Sequence, residues 1–203
     1  MNLETAIDEL AKNRYFIWDD FLSADEVNTV MLDYRKLHAD GQFTRAGVGK
    51  KKSTEENSPI HEEVRHDEIH WLDPLVLTPG QHLFWDRLEC LKNGINEQAM
   101  LGLWSLEGHY SHYFENGFYK PHLDRFASDD TRTISMVLYL NPDWKVTDGG
   151  ELRIHSSDTS SIDVLPAAGR LVCFLSESIL HEVRVAHRDR FSFAGWWKRR
   201  PQN

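Results

Sequence analysis

The chain has 203 residues, 40% of them hydrophobic, and a formal net charge of −9. That length and apolar content support one substantial core. The acidic balance disfavours a broad nucleic-acid or anionic-membrane surface, either of which needs a basic footprint.

Leu3, Ala6, Ile7 and Leu10 recur at helical spacing and predict a helix over residues 3–13, and Phe16, Ile17, Trp18 and Phe21 then bring strand content. Ser23-Ala24-Asp25-Glu26 is a capping box, in which the serine side chain satisfies an early backbone N–H and Glu26 reaches back. It opens a second helix to about His38, with Val27, Val30, Met31, Tyr34 and Leu37 as its apolar stripe. Residues 40–67 combine Gly41, Gly47, Gly49, Lys50 to Lys52, Glu55, Glu56 and Pro59 with few apolar residues, and read as a long lid-like loop. Glu68 to Leu72 returns to strand character. Thr78-Pro79-Gly80-Gln81 starts a third helix, with Pro at its first position, Leu83, Phe84, Leu88, Leu91 and Ile95 on its buried face, and Asn93-Gly94 as its fraying end.

Beyond Met100 eight short stretches of strand content follow: LGLWSLEGHYSHYF, FYKPHLD, TISMVLYLN, GGELRIH, SIDVLP, RLVCFLSES, LHEVRVA and RFSFAGWWK. Turn residues such as Asn116-Gly117, Asn141-Pro142-Asp143 and Asp148-Gly149-Gly150 separate them. The pattern predicts a mainly β fold, a double-stranded β-helix (jelly roll, cupin-like) with N-terminal helices packed on one sheet. One domain is expected over residues 1–203, with residues 1–99 as helical support including the lid and residues 100–203 as the jelly-roll core. Cys90 and Cys173 lie in apolar stretches without disulfide or metal spacing, and read as buried thiols of a reducing compartment. The N-terminus is unlike a signal or transit peptide, and no apolar run would span a bilayer. A cytoplasmic location is therefore expected, with no nucleic acid and no membrane as partner.

In an extended strand, residues two apart share a face, so His122 and Asp124 would project together. The same spelling occurs at His38-Ala39-Asp40 and His187-Arg188-Asp189, so the triplet alone decides nothing. A second histidine, His181, followed nine positions later by Arg190 on the expected adjacent antiparallel strand, makes the choice. Two histidines and a carboxylate are the facial triad of non-haem Fe(II) oxygenases, so His122, Asp124 and His181 are the candidate ligands. Arg190 would hold the distal carboxylate of 2-oxoglutarate bidentately, with the Tyr139 phenol adding a second bond. Tyr113 and Tyr119, flanking the turn before His122, are further candidates for the pocket.

These residues resemble the Fe(II)- and 2-oxoglutarate-dependent prolyl 4-hydroxylase family, in particular its oxygen-sensing branch of hypoxia-inducible-factor type and the bacterial relatives. The likeness runs through IWDDFL, YRKLHADGQF, RHDEIHWL, HYFENGFYKPHLD, TRTISMVLYLNPDW, GGELRIH and LHEVRVAHRDRFSFAGWW. It implies a dioxygenase that consumes 2-oxoglutarate and O2, hydroxylates a prolyl residue of a protein substrate, and releases succinate and CO2. It also implies ascorbate as a reductant and a protein partner that bacterial relatives suggest is a translation factor such as elongation factor Tu. By the same likeness Tyr113 belongs to the co-substrate pocket, Arg132 and Trp196 line its substrate side, Tyr119 stands with them, and the loop over 40–67 closes on bound peptide. Arg190 rather than a lysine favours the oxygen-sensor branch. The turn before His122 is shorter than in the animal sensors, which leaves open the same chemistry on a small-molecule or other non-prolyl substrate. A non-enzymatic cupin-like metal-binding or sensing module is the remaining alternative.

Overall fold

Local capping chemistry sets the three α-helices of the described residues. In the computed structural model, which describes residues 1–47, 63–125, 131–157 and 160–201, Asn2 accepts from the Thr5 N–H at the start of α1 (Leu3–Asn13). Both expected capping boxes are present. Ser23 and Glu26 exchange hydrogen bonds at the start of α2 (Ala24–Ala39), and Thr78 and Gln81 do so at α3 (Pro79–Ala99), where the Thr78 N–H donates to Gln81 Oε1 at 2.9 Å. Asp33 of α2 accepts from the Gly80 N–H at 2.8 Å and so fastens the two helices end to side.

α3 does not fray at Asn93-Gly94 but continues through it to Ala99. The glycine has a packing cause: a Cβ there would stand 2.6 Å from Leu3 Cδ2 of α1, so its absence lets the two helices approach. The expectation for Cys90 also fails, since it faces outward from α3 and is exposed, whereas Cys173 is buried.

All the expected strands form, together with one more: β1 (Tyr15–Trp18), β2 (Thr44–Arg45), β3 (Glu68–Trp71), β4 (Leu103–Tyr113), β5 (Tyr119–His122), β6 (Arg132–Tyr139), β7 (Leu152–Ser157), β8 (Ser160–Val164), β9 (Leu171–Leu175), β10 (Leu180–Val183) and β11 (Arg190–Arg199). Only β2 was not anticipated; it sits inside the stretch read as a loop and pairs with β3. The rest of that lid reading, residues 48–62, falls outside the described residues. The strands make two antiparallel sheets, a seven-stranded one in the order β1-β9-β6-β11-β4-β3-β2 and a four-stranded one in the order β5-β10-β7-β8. This is the predicted jelly roll, extended at both edges of its larger sheet by strands from the first half of the chain.

Two apolar layers hold it. Phe84, Leu88 and Ile95 of α3 and Val30 and Tyr34 of α2 pack with Tyr110, Leu138 and Phe193 of the larger sheet. Each such fully buried side chain contributes about 1.5–3 kcal/mol relative to exposure. Between the sheets, Leu152, Ile154 and Val164 meet Tyr139, Val172 and Phe174. In the long β4–β11 pairing, Gly108 faces Gly195. The Phe193 ring occupies the space that their Cβ atoms would take.

Candidate metal and co-substrate site

His122 ends β5 and lies opposite His181 of β10, so the edge pairing of the smaller sheet brings the two imidazoles together. Asp124 is not in the strand, as the two-residue alternation supposed, but in the bend after it. Its carboxylate nevertheless reaches both rings, with Oδ1 3.6 Å from His122 Nε2 and Oδ2 3.6 Å from His181 Nε2. The three ligand atoms lie within 4.8 Å of one another and form the one group of this kind among the described residues.

Protonation is fixed by the backbone. His122 Nδ1 is 2.8 Å from Lys120 O and His181 Nδ1 is 3.0 Å from Ile179 O. A carbonyl only accepts, so both Nδ1 atoms carry a proton and both Nε2 atoms are left on the Asp124 side. Burial, reinforced by His181, brings the His122 pKa down to about 4. Burial alone would raise Asp124, but positive charge on the His181 and His122 rings outweighs it and takes that carboxyl down to about 2. The result is an anionic N,N,O donor set with its lone pairs converging, which suits a divalent first-row cation.

The same cavity, about 210 Å³, holds Arg190 at its inner end. Contrary to the expected adjacency, β10 and β11 are not neighbours in one sheet; they belong to opposite sheets, and His181 and Arg190 line the same cavity from the two. Arg190 is 1% exposed. Its Nε donates to Gly150 O at 2.8 Å, and Nη1 is 3.4 Å from Ser192 Oγ. The ring centroids of Tyr113 and Tyr139 each lie 5.1 Å from Arg190 Cζ. No carboxylate among the described residues pairs with it. Among the described residues the buried Tyr139 hydroxyl also lacks a hydrogen-bond partner. A buried cation without an acid beside an orphaned phenol is an arrangement that a carboxylate ligand would satisfy.

At the mouth, the Arg132 guanidinium lies 3.6 Å over the Trp196 ring and pairs with Glu107 at 2.9 Å. Trp71 packs against Trp196 and against His109. Tyr119, expected on the substrate side, stacks on His122 with ring centroids 3.6 Å apart. The Arg65 guanidinium covers the other neighbourhood of that phenol at 4.4 Å and pairs bidentately with Asp67. Arg65, Asp67 and Ser192 were given no role in the sequence, and His109 was one of several histidines whose spacing decides nothing. Only the pattern Arg65-His66-Asp67 ahead of β3 carried any signal for the first two. The other two H-x-D triplets converge elsewhere: His38 Nε2 lies 3.2 Å from His112 Nδ1, and Asp189 lies 3.2 Å from His112 Nε2.

Residues 108–198, which contain every one of these groups from His109 to Trp196, match the 2OG-Fe(II) oxygenase superfamily. The chain is also similar to a prolyl-4-hydroxylase from Pseudomonas putida, at 36% identity and a TM-score of 0.86, over 98% of this chain and 100% of that one. The chain belongs to the prolyl 4-hydroxylase family of 2OG-Fe(II) oxygenases. Membership implies Fe(II), 2-oxoglutarate and O2, and the donor set and the unmatched Arg190 fit the first two. More distant structures share the fold. One is a prolyl hydroxylase from Trichoplax adhaerens in complex with a hypoxia inducible factor peptide fragment, at 22% identity and a TM-score of 0.83 over 97% of this chain and 88% of that one. Another is the epimerase SnoN in complex with Fe3+, alpha ketoglutarate and nogalamycin RO, at 14% identity and a TM-score of 0.70 over 97% of this chain and 83% of that one. No helix of the described residues is long and apolar enough to cross a membrane.

Proposed function

We propose that this family member hydroxylates a prolyl residue in a protein or peptide substrate, consuming 2-oxoglutarate and O2 and releasing succinate and CO2. The carrying observation is that one cavity holds three convergent metal donors and a buried arginine that has no acidic partner among the described residues. The extent of similarity to the Pseudomonas putida enzyme supports the prolyl assignment.

In this reading His122, Asp124 and His181 hold Fe(II) through Nε2, carboxylate and Nε2. Arg190 and Tyr139 hold the distal carboxylate of 2-oxoglutarate, with Gly150 O fixing the guanidinium. Burial strengthens that pairing, because water does not compete for either charge. Burial also pushes the Tyr139 pKa up, so the phenol stays protonated and can donate. Tyr113 walls the co-substrate side, and Arg132 and Trp196 shape the substrate side. When bound, iron and 2-oxoglutarate supply the oxidising chemistry, with one oxygen atom going to succinate and one to the substrate C–H bond. The aromatic mouth formed by Trp71, His109 and Trp196 suits a pyrrolidine ring, which packs well against aromatic faces.

Purified protein given Fe(II), 2-oxoglutarate and ascorbate as reductant should release succinate slowly without substrate and faster with a substrate protein. Elongation factor Tu is the first protein to try. Asp124→Ala should release none. Succinate release by that variant at the wild-type rate would sink the ligand assignment.

A further inference from the structure

His109 has no part in the donor set or in the arginine anchor, yet its side chain lines the same cavity and is 4% exposed. Its Nδ1 lies 3.2 Å from Tyr110 O and 3.1 Å from Ser111 Oγ. The carbonyl only accepts, so Nδ1 carries the proton and Nε2 is left with a lone pair. Nδ1 is thus engaged on its own strand, and Nε2, the other ring nitrogen of a side chain that lines the cavity, has no hydrogen-bond partner among the described residues. The ring is fixed by Trp71 at 4.8 Å and Trp196 at 5.5 Å between centroids. Burial, together with the Arg65 and Arg132 charges, brings its pKa down to about 3.

We propose that His109 is a specificity residue that accepts a hydrogen bond from the backbone N–H of the residue following the target proline. This rests on the prolyl reading above. The chemistry of the group selects the donor. A neutral lone pair requires a donor, which excludes carboxylates and carbonyls, and the nearby Arg65 and Arg132 repel a cationic one. Uncharged N–H and O–H donors remain, and of these a backbone amide is the one that any prolyl peptide carries beside the ring. The prolyl nitrogen carries no hydrogen, so the nearest amide donor in a prolyl peptide belongs to the next residue. The two indoles beside His109 exclude water from that bond, which makes an unmatched lone pair costly when a ligand without the N–H fills the mouth.

The test compares N-acetylproline N-methylamide with N-acetylproline methyl ester, which replaces the N–H by an oxygen of nearly the same size. Each is titrated by calorimetry into protein holding Fe(II) and 2-oxoglutarate under anaerobic conditions. The amide should bind the wild type on the order of tenfold more tightly than the ester. The gap should close in His109→Leu and return in His109→Gln, whose amide oxygen can accept in place of Nε2. A purely structural role for His109 would weaken both ligands alike. Equal binding of amide and ester to the wild type overturns the proposal, as does an unchanged gap in His109→Leu. If 2-oxoglutarate binds but neither proline derivative does, the prolyl reading fails first and takes this proposal with it.

Discussion

Replacing Arg190 by methionine separates the two demands on a buried cation. The guanidinium is 1% exposed and is held by a backbone carbonyl and a serine, with no carboxylate partner among the described residues. Arg190→Met puts an apolar chain of similar length into an aromatic niche between Tyr113 and Tyr139. The ligand-free variant should therefore be as stable as the wild type or gain about 1–2 kcal/mol. Binding of 2-oxoglutarate should respond in the opposite direction. Removing one partner of a buried, hydrogen-bonded charge pair costs about 3–5 kcal/mol, which is more than about a hundredfold in Kd. Thermal unfolding under anaerobic Fe(II) reads both effects. At a hundred times its Kd, 2-oxoglutarate adds about 2.7 kcal/mol to the wild type, or about 5–10 °C in Tm for a chain of this size. The same concentration should move Arg190→Met by less than about 0.5 kcal/mol. Retention of the wild-type shift, or a loss of several kcal/mol in the ligand-free variant, would refute the reasoning, since either means that the guanidinium serves another partner.

Three further outcomes follow from the geometry. Gly150 has a positive φ of 67°, and a Cβ there would stand 3.1 Å from Arg190 Cδ, so Gly150→Ala should raise KM for 2-oxoglutarate by more than it lowers kcat. His109 binds its proton more readily in the unfolded chain, at about 6.5, than in the fold, at about 3. Its contribution to stability is thus complete above pH 6.5 and is lost as the pH falls toward 3. By about pH 4.5 the loss is roughly 2–3 kcal/mol, and urea unfolding of metal-free His109→Gln should show a stability profile flatter than wild type by that amount. Thr78→Ala removes the N-cap of α3 and its bond to Asp33 of α2, and should cost about 1–2 kcal/mol in urea unfolding while leaving KM for 2-oxoglutarate unchanged.

What the sequence disclosed, and what it hid, divides along the range of the interactions. The starts of α2 and α3 were legible because a capping box is written within four residues, and the strands were legible because their side-chain content is local. Gly94 misled because its reason is Leu3 of another helix, ninety-odd positions away in the chain. The placement of β10 and β11 in different sheets could not be read from two consecutive strand-like segments, since strand content says nothing of which edge each segment joins. The metal donors were recoverable because two of them are a short motif and the third is flagged by the arginine after it. His109 was not, because its neutral state and its tautomer depend on Tyr110 O, Ser111 and the two indoles, which the fold assembles from three strands. Arg65 acquires its meaning only from the stack of Tyr119 on His122.

The central claim, oxygen transfer from O2 to a prolyl residue of a protein, is tested most directly with isotopically heavy dioxygen. The protein, Fe(II), 2-oxoglutarate and ascorbate are incubated with a lysate of the source organism, and peptides are mapped by mass. One heavy oxygen should appear on a proline of a discrete protein and one in succinate, in equal amounts. Heavy succinate released in proportion to an oxidised small molecule, with no proline labelled, would contradict it.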